Sequence, residues 1–190
     1  MSQPGFDLSE ASKAIEKSGE GIPPLDQWNP EFCGDIDMRI CRDGKWFYQG
    51  TIIGRPAMVK LFSRVLWLEE GKYFLKTPVE KVGIEVEDAP FLMTEVHILN
   101  SENGPEYQFV SATGDKVVIG KNHSLWVEEC SETSEPSPYI DVRFGMKGLI
   151  HRNVFYQLVE MAVEQEIDGK VMLVIESQGE TFILGDVTLI

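Results

Sequence analysis

Four arginines are the residues of this chain whose types and positions most suggest a binding function. Arg39 and Arg143 end two nearly identical phrases, Ile-Asp-Met-Arg and Ile-Asp-Val-Arg, in the two halves of the sequence. Arg55 and Arg152 each lie at the start of a predicted helix. Because guanidinium groups bind carboxylates and phosphates through paired hydrogen bonds, the four arginines are candidates for recognition of a small anionic ligand.

The position of Arg55 and Arg152 calls for a compensating negative charge, because a helix N-terminus carries partial positive charge. One compensation is an ion pair within each half, with Asp37 or Asp141 as the partner. This is the favoured interpretation, because buried or half-buried arginines are usually paired. The other is a bound anion, held by the arginine together with the free N–H groups of the helix N-terminus.

His123 is the candidate catalytic residue, since histidine can act as a general base near neutral pH. It is isolated in sequence, and the chain has no G-x-S-x-G, H-E-x-x-H or G-x-G-x-x-G motif. The acidic residues Glu85, Glu87 and Asp88 are typical of solvated surface, although close carboxylates could hold a hard cation. A hydrolase-like enzyme centred on His123 with nearby carboxylates is therefore an alternative to a binding protein. Neither a cofactor nor a metal site is predicted.

An aromatic strand face is a second candidate surface. A two-residue turn at Asp43-Gly44 predicts a hairpin in which Arg39 lies opposite Tyr48 and shares a face with Trp46. Another part of the chain could cover this face. Alternatively, the face could bind a partner or a second copy, because Trp, Tyr and Arg are enriched at interaction surfaces.

Charge and cysteine content exclude several classes of partner. The chain has 31 acidic against 17 basic residues, a formal charge of −14. Nucleic acid and anionic membrane surfaces bind basic proteins, so neither is an expected partner. The three cysteines Cys33, Cys41 and Cys130 form no close pair, and an odd number of thiols is typical of a reducing compartment. With no signal-like or membrane-spanning stretch, we expect a cytoplasmic protein.

The elements that must position these residues are strands and two helices. Alternating residues predict strands around the two Ile-Asp-x-Arg phrases. Apolar residues at helical spacing predict helices over 55–71 and 153–168. Between them, turn signals divide residues 91–129 into four strands, which we predict to form an antiparallel meander.

The two halves carry an internal repeat. Each half is predicted to read strand, turn, helix, strand, strand, and matching residues occur in the same order. The matches are Ile36, Asp37 and Arg39 with Ile140, Asp141 and Arg143; Gly50 and Ile52 with Gly148 and Ile150; Arg55 with Arg152; Leu61 with Leu158; and Gly71-Lys72 with Gly169-Lys170.

These patterns predict an α+β fold with two related units on curved, mostly antiparallel sheets, joined by the β-meander. Residues 1–23 form an N-terminal tail in which a short helix is predicted. Residues 24–88 form the first unit, and residues 89–190 form the meander with the second unit.

The sequence resembles a bacterial family of domains of unknown function, family 1285. The resemblance rests on the segments PPLDQW, GDIDMRI, DGKWFYQG, GRPAMVKLFSRVL, GKYFLKTPVEKVGIEVEDAPF and PYIDVRFGMKGLIHRNVFY. It implies an α+β fold with repeated motifs and a suggested role in signalling. In relatives we expect a His-Pro-Leu-Arg sequence after the meander. Here it is His123-Ser124-Leu125-Trp126, which lacks the basic residue.

The function that the sequence favours is a non-enzymatic cytoplasmic binding module, acting in signal transduction and recognising a small anionic ligand or a protein partner. The candidate ligand contacts are Arg39, Arg55, Arg143, Arg152 and His123. Trp46 and Tyr48 are the candidate partner surface. The alternatives are the hydrolase-like enzyme and a structural homodimer.

Overall fold

The computed structural model describes residues 8–17, 19–102, 104–129 and 135–188. The chain divides into two compact units, residues 1–88 and residues 89–190. Cys130 lies outside the described residues, and Cys33 and Cys41 are free thiols. No helix in the described ranges is long and apolar enough to cross a membrane.

The first unit is built on one six-stranded sheet with the strand order β3-β2-β1-β6-β5-β4. Strands β1 and β6 are parallel, and the other neighbours are antiparallel. The predicted N-terminal helix is present, with Ala11 and Ile15 buried. The elements are α1 (Leu8–Lys17), a 3-10 turn (Leu25–Gln27), β1 (Phe32–Ile40), β2 (Trp46–Tyr48), β3 (Thr51–Ile52), α2 (Pro56–Ser63), β4 (Leu66–Glu69), β5 (Lys72–Lys76) and β6 (Lys81–Val86).

The second unit contains a six-stranded sheet, β10-β11-β12-β7-β8-β9, and a three-stranded sheet, β13-β14-β15. Strands β12 and β7 are parallel, and the other neighbours are antiparallel. The elements are β7 (Phe91–Ser101), β8 (Gly104–Ser111), β9 (Lys116–Val118), β10 (Leu125–Glu129), β11 (Pro136–Arg143), β12 (Met146–Ile150), α3 (Arg152–Met161), β13 (Val163–Ile167), β14 (Lys170–Ser177) and β15 (Glu180–Asp186).

The predicted α+β fold with two related units is confirmed. The order β1-β2-α2-β4-β5-β6 in the first unit corresponds to β11-β12-α3-β13-β14-β15 in the second, except for the short extra strand β3. The matched pairs Glu70-Gly71 and Asp168-Gly169 have nearly the same backbone angles, with φ of 51° and 76° in one and 52° and 76° in the other. Two consecutive residues with positive φ form the tight turn that joins two antiparallel strands.

The two predicted helices are too long. Helix α2 ends at Ser63 and α3 at Met161, and a strand begins two or three residues later in each case. The tight turns at Glu70-Gly71 and Asp168-Gly169 require strands on both sides, so the residues before them cannot stay helical. Because the apolar residues of these short strands continue the helical spacing, periodicity alone does not separate helix from strand.

The hairpin between β1 and β2 has a longer turn than predicted. The Cys41 N–H donates to the Lys45 carbonyl, and the Gly44 N–H donates to the Cys41 carbonyl. The loop therefore comprises residues 42–44, with Gly44 at a φ of 83°. This is a three-residue loop that ends on a left-handed glycine, and the prediction of a two-residue turn was wrong.

The longer turn changes which side chains share a face. Arg39 lies opposite Phe47, and Ile40 lies opposite Trp46. Since a shift of one residue moves a side chain to the other face, Trp46 leaves the Arg39 face and is 2% exposed beside Ile40. The predicted aromatic partner face of Trp46 and Tyr48 beside Arg39 is therefore not formed, and Tyr48 is half-buried.

The predicted meander ends one strand early. Strands β7, β8 and β9 are antiparallel neighbours, but β10 pairs with β11 instead of β9. This pairing sets Leu125 opposite Ile140, and both side chains are buried. The prediction assumed that consecutive strands are neighbours in the sheet. Strand β10 instead pairs with β11, which lies further along the chain, because this pairing buries Leu125.

A glycine in β12 gives a test of this packing. A Cβ added at Gly148 would lie 2.9 Å from Met93 Sδ and 2.9 Å from Val142 Cγ2, whereas a Cβ at Gly54 would have no atom within 4 Å. We expect Gly148→Ala to lower the free energy of unfolding by about 1–3 kcal/mol through overpacking. The matched control Gly54→Ala should change it by less than about 0.5 kcal/mol. Urea denaturation measures both, and equal midpoints for the two variants would contradict the packing of β12.

Candidate functional site

The second unit contains a groove between the two strands β10 and β15. Strand β10 is the last strand of the six-stranded sheet, and β15 is the last strand of the three-stranded sheet. The two strands are in contact, yet among the described residues no main-chain hydrogen bond joins them. We refer to the space along them as the β10–β15 groove.

The internal repeat explains why this groove exists. In the first unit, β1 lies between β2 and β6, and its parallel pairing with β6 closes one continuous sheet. The counterparts in the second unit are β11, β12 and β15. Here β10 occupies the edge of β11 that β6 occupies on β1. Strand β15 is therefore excluded from the six-stranded sheet and stays at the edge of its own.

The groove has a volume of about 960 Å³. Its apolar lining consists of Leu125, Trp126, Val127, Pro136, Met172, Phe182, Ile183 and Leu184. Its charged lining consists of Lys121, Glu129, Lys170, Glu180 and Asp186. Ligand sites are typically concave, mostly apolar and about 300–1,000 Å³ in volume, with a few polar groups that fix the orientation of the ligand.

Trp126 is held in one orientation by its surroundings. Its ring stacks on Tyr139 with the centroids 5.9 Å apart, and its Nε1 donates to Glu128 Oε1 at 2.8 Å. The Lys147 ammonium also lies over the Tyr139 ring, 3.9 Å from its centroid. The Tyr139 ring packs with the buried residue Leu149, so the wall of the groove rests on a small apolar cluster.

A buried serine fixes one end of the groove. Ser177, at the end of β14, donates its hydroxyl to the Ile119 carbonyl at 2.7 Å and accepts from the Tyr107 N–H at 3.0 Å. Beside it, Gly120 approaches Gln178 so closely that an added Cβ would lie 2.2 Å from Gln178 Oε1. These contacts hold the turn before β10 against the turn before β15.

Asp186 is an ionised group at the groove. Its Oδ1 accepts from the Thr188 N–H at 2.9 Å and from the Thr188 hydroxyl at 2.7 Å. These hydrogen bonds, with a smaller contribution from Lys170, lower the pKa of Asp186 below its ordinary value. The groove therefore presents charges of both signs.

Arg143 belongs to an internal ion pair. Its Nε lies 3.1 Å from Asp115 Oδ1, and the two side chains are 13% and 11% exposed. The other oxygen of Asp115 accepts from the hydroxyls of Ser111 and Thr113, and the guanidinium lies over the Phe91 ring, 4.9 Å from its centroid. Burial lowers the pKa of Arg143, and the charge of Asp115 opposes that shift.

The other three arginines are exposed, and each has different surroundings. Arg39 Nε lies 3.7 Å from Glu87 Oε1, and its guanidinium lies over the Phe47 ring. Arg152 donates from Nε to the Tyr156 hydroxyl at 2.6 Å. Arg55 precedes α2 and, in the part of the chain that the structure describes, makes no ion pair.

The favoured ion pairs at the helix starts were therefore wrong. Neither Asp37 nor Asp141 pairs with Arg55 or Arg152 among the described residues. The reason for Arg152 is geometric: the Tyr156 hydroxyl lies one turn along the same helix, within reach of its guanidinium. The side chain of Arg55 points into solvent, where water screens the helix dipole.

His123 has a structural partner. Its Nδ1 lies 3.0 Å from the Asp141 carbonyl oxygen, and its main chain pairs with Gly120. In the described ranges, no carboxylate forms an ion pair with His123, and no three metal-binding side chains are close enough to share an ion. Glu87 and Asp88 instead bind Arg42: Glu87 Oε2 accepts from its N–H at 2.9 Å, and Asp88 Oδ2 lies 2.6 Å from its Nη1.

None of the predicted contact residues lines the groove. The lining does include Ser124, Leu125 and Trp126, which directly follow His123 in the sequence. Lys170 also lines it, and its sequence signal was the Gly-Lys pair that follows each predicted helix. The repeat marked this lysine as a matched position but gave no sign that its surroundings differ between the two units.

Two family models together cover most of the chain. The model described as "Domain of unknown function (DUF1285), N-terminal domain" matches residues 23–89. The model described as "Protein of unknown function (DUF1285), C-terminal domain" matches residues 90–184.

Two solved structures are similar to the chain, and both are DUF1285 family proteins. One, from Silicibacter pomeroyi DSS-3, is 43% identical with a TM-score of 0.85, and the match covers 96% of each chain. The other, from Shewanella baltica OS155, is 27% identical with a TM-score of 0.53, and the match covers 66% of this chain and 91% of that one. A comparison with curated proteins gives no match.

The Arg143–Asp115 pair gives a prediction for stability. Asp115→Ala leaves a buried guanidinium without its carboxylate, and we expect it to lower the free energy of unfolding by about 3–5 kcal/mol. The control Glu69→Ala removes the partner of Lys81 from a pair in which the Glu69 side chain is 45% exposed, and it should cost clearly less because water screens an exposed pair. Urea denaturation of both variants makes the comparison. A loss at Asp115 no larger than that at Glu69 would show that the pair has no internal role.

Proposed function

The chain belongs to the DUF1285 family, and we propose that it is a non-enzymatic binding module whose ligand occupies the β10–β15 groove. The observation that carries this proposal is the groove itself, a concave space of about 960 Å³ with an apolar lining and charges of both signs. Its volume lies at the upper end of the range of ligand sites, about 300–1,000 Å³.

The rigidity of the groove supports a binding role. Trp126 is fixed by stacking and a hydrogen bond, and Ser177 fixes the turn at one end. A site whose side chains are already ordered loses little conformational entropy when a ligand binds. The partly buried ring of Trp126 also offers the kind of surface that contributes most to binding energy.

The charges of the groove define the ligand further. Lys121 and Lys170 can bind an anionic group of the ligand. The anionic ligand predicted from the sequence is therefore retained, but its proposed contacts are these two lysines instead of the arginines. Glu129, Glu180 and Asp186 repel a purely anionic molecule. The ligand that fits both sets has an apolar body and charged or polar groups of both signs.

The two alternatives have weaker support. A hydrolase would need His123 to face a nucleophile or a carboxylate, and its Nδ1 is instead 3.0 Å from a main-chain carbonyl. A homodimer built on the aromatic strand face loses its largest side chain, because Trp46 is buried. The cytoplasmic location is supported by the free thiols Cys33 and Cys41, and a role in signalling by the family resemblance.

A neutral dye tests the site. Ile183 lies in β15, lines the groove and is 40% exposed, whereas Ile98 lies in β7, outside the groove lining, and is 46% exposed. We expect the uncharged dye N-phenyl-1-naphthylamine to bind the wild type and Ile98→Lys alike in a fluorescence titration. Ile183→Lys should weaken binding about tenfold, because an ammonium replaces an apolar wall. Equal affinity for all three proteins would contradict the proposed site.

An anionic dye tests the lysines. Lys170 lines the groove, and Lys72 is its counterpart in the internal repeat, in the first unit. We expect Lys170→Gln to weaken binding of the anionic dye 8-anilinonaphthalene-1-sulfonate about threefold, with no effect on the neutral dye. Lys72→Gln should change neither. An equal loss of affinity for the anionic dye in both lysine variants would indicate an effect of net charge. It would contradict a role for Lys170 as the cation that binds the dye.

A further inference from the structure

We infer that the ligand of the β10–β15 groove carries a planar aromatic ring, which stacks on the face of Trp126 that points away from Tyr139. This inference rests on the proposed function, because it names the chemical class of the ligand that occupies the same groove. The evidence is a row of stacked side chains that ends at Trp126, the space beside that ring, and the charge at the same end of the groove.

Three side chains on adjacent strands form the stacked row Lys147–Tyr139–Trp126. Strands β12, β11 and β10 are neighbours in this order, with β10 at the edge of the sheet. The Lys147 ammonium of β12 lies over the Tyr139 ring of β11, and that ring stacks on Trp126, which lies directly opposite it on β10. Because Lys147 and Trp126 lie on opposite sides of β11, both faces of the Tyr139 ring are occupied. Trp126 ends the row, so Tyr139 occupies only one of its faces.

The second face of Trp126 points away from β11, across the edge of β10 and into the groove that Trp126 lines. The Nε1 edge of the ring already donates to Glu128 Oε1, so the ring offers its face to a ligand instead of this donor. In the described part of the chain, no second ring stacks on Trp126 and no cation lies over it. A ligand ring can therefore extend the stacked row by one member.

The space for such a ring lies above the edge of β10. The main chains of β10 and β15 are in contact, but side chains stand roughly perpendicular to a sheet, so the face of Trp126 is not closed by that contact. The groove has a volume of about 960 Å³, and its lining on the β15 side includes the apolar residues Phe182, Ile183 and Leu184. A site of this size holds ligands much larger than a bicyclic ring.

A cation lies at the same end of the groove as Trp126. Lys121 belongs to the turn before β10 and lines the groove, and among the described residues its ammonium group makes no ion pair. Charge complementarity therefore assigns the anionic group of the ligand to Lys121 when its ring lies on Trp126. Glu180, the first residue of β15, lies at this end as well and opposes a second negative charge.

A saturated ring provides the comparison that isolates stacking. An aromatic ring and its saturated analogue both bury apolar surface, and the saturated analogue has the larger hydrocarbon surface. Only the aromatic ring gains the additional attraction of stacked π-systems, which corresponds to about two- to tenfold in affinity. A preference for the aromatic compound is therefore a result that apolar burial alone does not produce.

The experiment compares 2-naphthoate with decahydro-2-naphthoate, which has the same charge and carbon skeleton. Calorimetry measures the affinity of both compounds for the wild type, Trp126→Leu, Trp126→Phe and the control Trp67→Leu. Trp67 is a matched control because it is also half-buried and also donates from Nε1 to the glutamate two residues further along its strand, at 3.2 Å. The ratio of the two affinities is compared between proteins, since a loss of folded protein lowers the binding of both compounds equally.

We expect the wild type and Trp67→Leu to bind 2-naphthoate about three- to tenfold more tightly than the saturated analogue. Trp126→Leu should bind both compounds equally or prefer the saturated one, because leucine has no ring face. Trp126→Phe should keep an aromatic preference of about twofold or more. Lys121→Gln should weaken both compounds about threefold and leave their ratio unchanged. In the NMR spectrum, naphthoate protons above the indole should shift upfield with the wild type, and Trp126→Leu should abolish this shift.

Three results would overturn the inference, and they separate it from the proposed function. If the wild type binds the saturated analogue as tightly as 2-naphthoate, the groove binds an apolar body without stacking. If Trp126→Leu keeps the aromatic preference, or Trp67→Leu loses it, the ring lies elsewhere. If neither compound binds while the neutral dye still distinguishes Ile183→Lys from Ile98→Lys, the groove binds ligands of another class and the proposed function stands. Loss of that dye difference as well would contradict the proposed function itself.

Discussion

The pairing of β10 with β11 is the interaction on which the second unit depends. Strand β11 has two edges, and β10 and β12 occupy both of them. In the first unit the corresponding edge of β1 is paired with β6, which joins the last three strands of that unit to its first strands. Because β10 takes this place, the last three strands of the second unit form a separate sheet, and its edge strand β15 faces β10. The repeat is thus nearly the same in both units, and the groove comes from β10, one of the four strands that the second unit has outside the repeat.

This arrangement explains how duplicated units can differ in their capacity to bind. In a continuous sheet, the main-chain N–H and C=O groups of an inner strand bond to the strands on both sides, as those of β6 do between β1 and β5. A divided sheet leaves two edges, and edges are avoided in proteins unless they are covered or used. Two charged side chains, Lys170 and Asp186, line the groove beside β15, and charged side chains near a strand edge are one means by which proteins prevent uncontrolled strand pairing. The same charges can select a partner whose charges complement them.

The sequence predicted local features well and long-range pairings poorly. The α+β class and the repeat follow from short sequence patterns, and the structure has both. Gly71 and Gly169 were predicted to end helices, and the structure instead has them in turns between two strands. The turn after Cys41 differs from its prediction by one residue, which was enough to bury Trp46. The partner of β10 could not be derived, because alternation shows that a segment is a strand but not which strand it pairs with. Arg143 looked like a ligand contact because its carboxylate partner, Asp115, is distant in sequence.

The central claim is that β15 has an open edge in the free protein where its counterpart β6 does not. Amide hydrogen exchange, followed residue by residue by NMR, tests this most directly. The account predicts slow exchange at the amides of β6 that donate to β5 and at those that donate to β1, because β6 is paired on both sides, with register shifts only in its pairing with β1. It predicts slow exchange at the amides of β15 that donate to β14, which alternate on either side of the register shift at Leu184, and fast exchange at the amides that face β10. Slow exchange at successive amides of β15 would show that its edge is closed by hydrogen bonds, and the groove would then offer no main chain to a ligand.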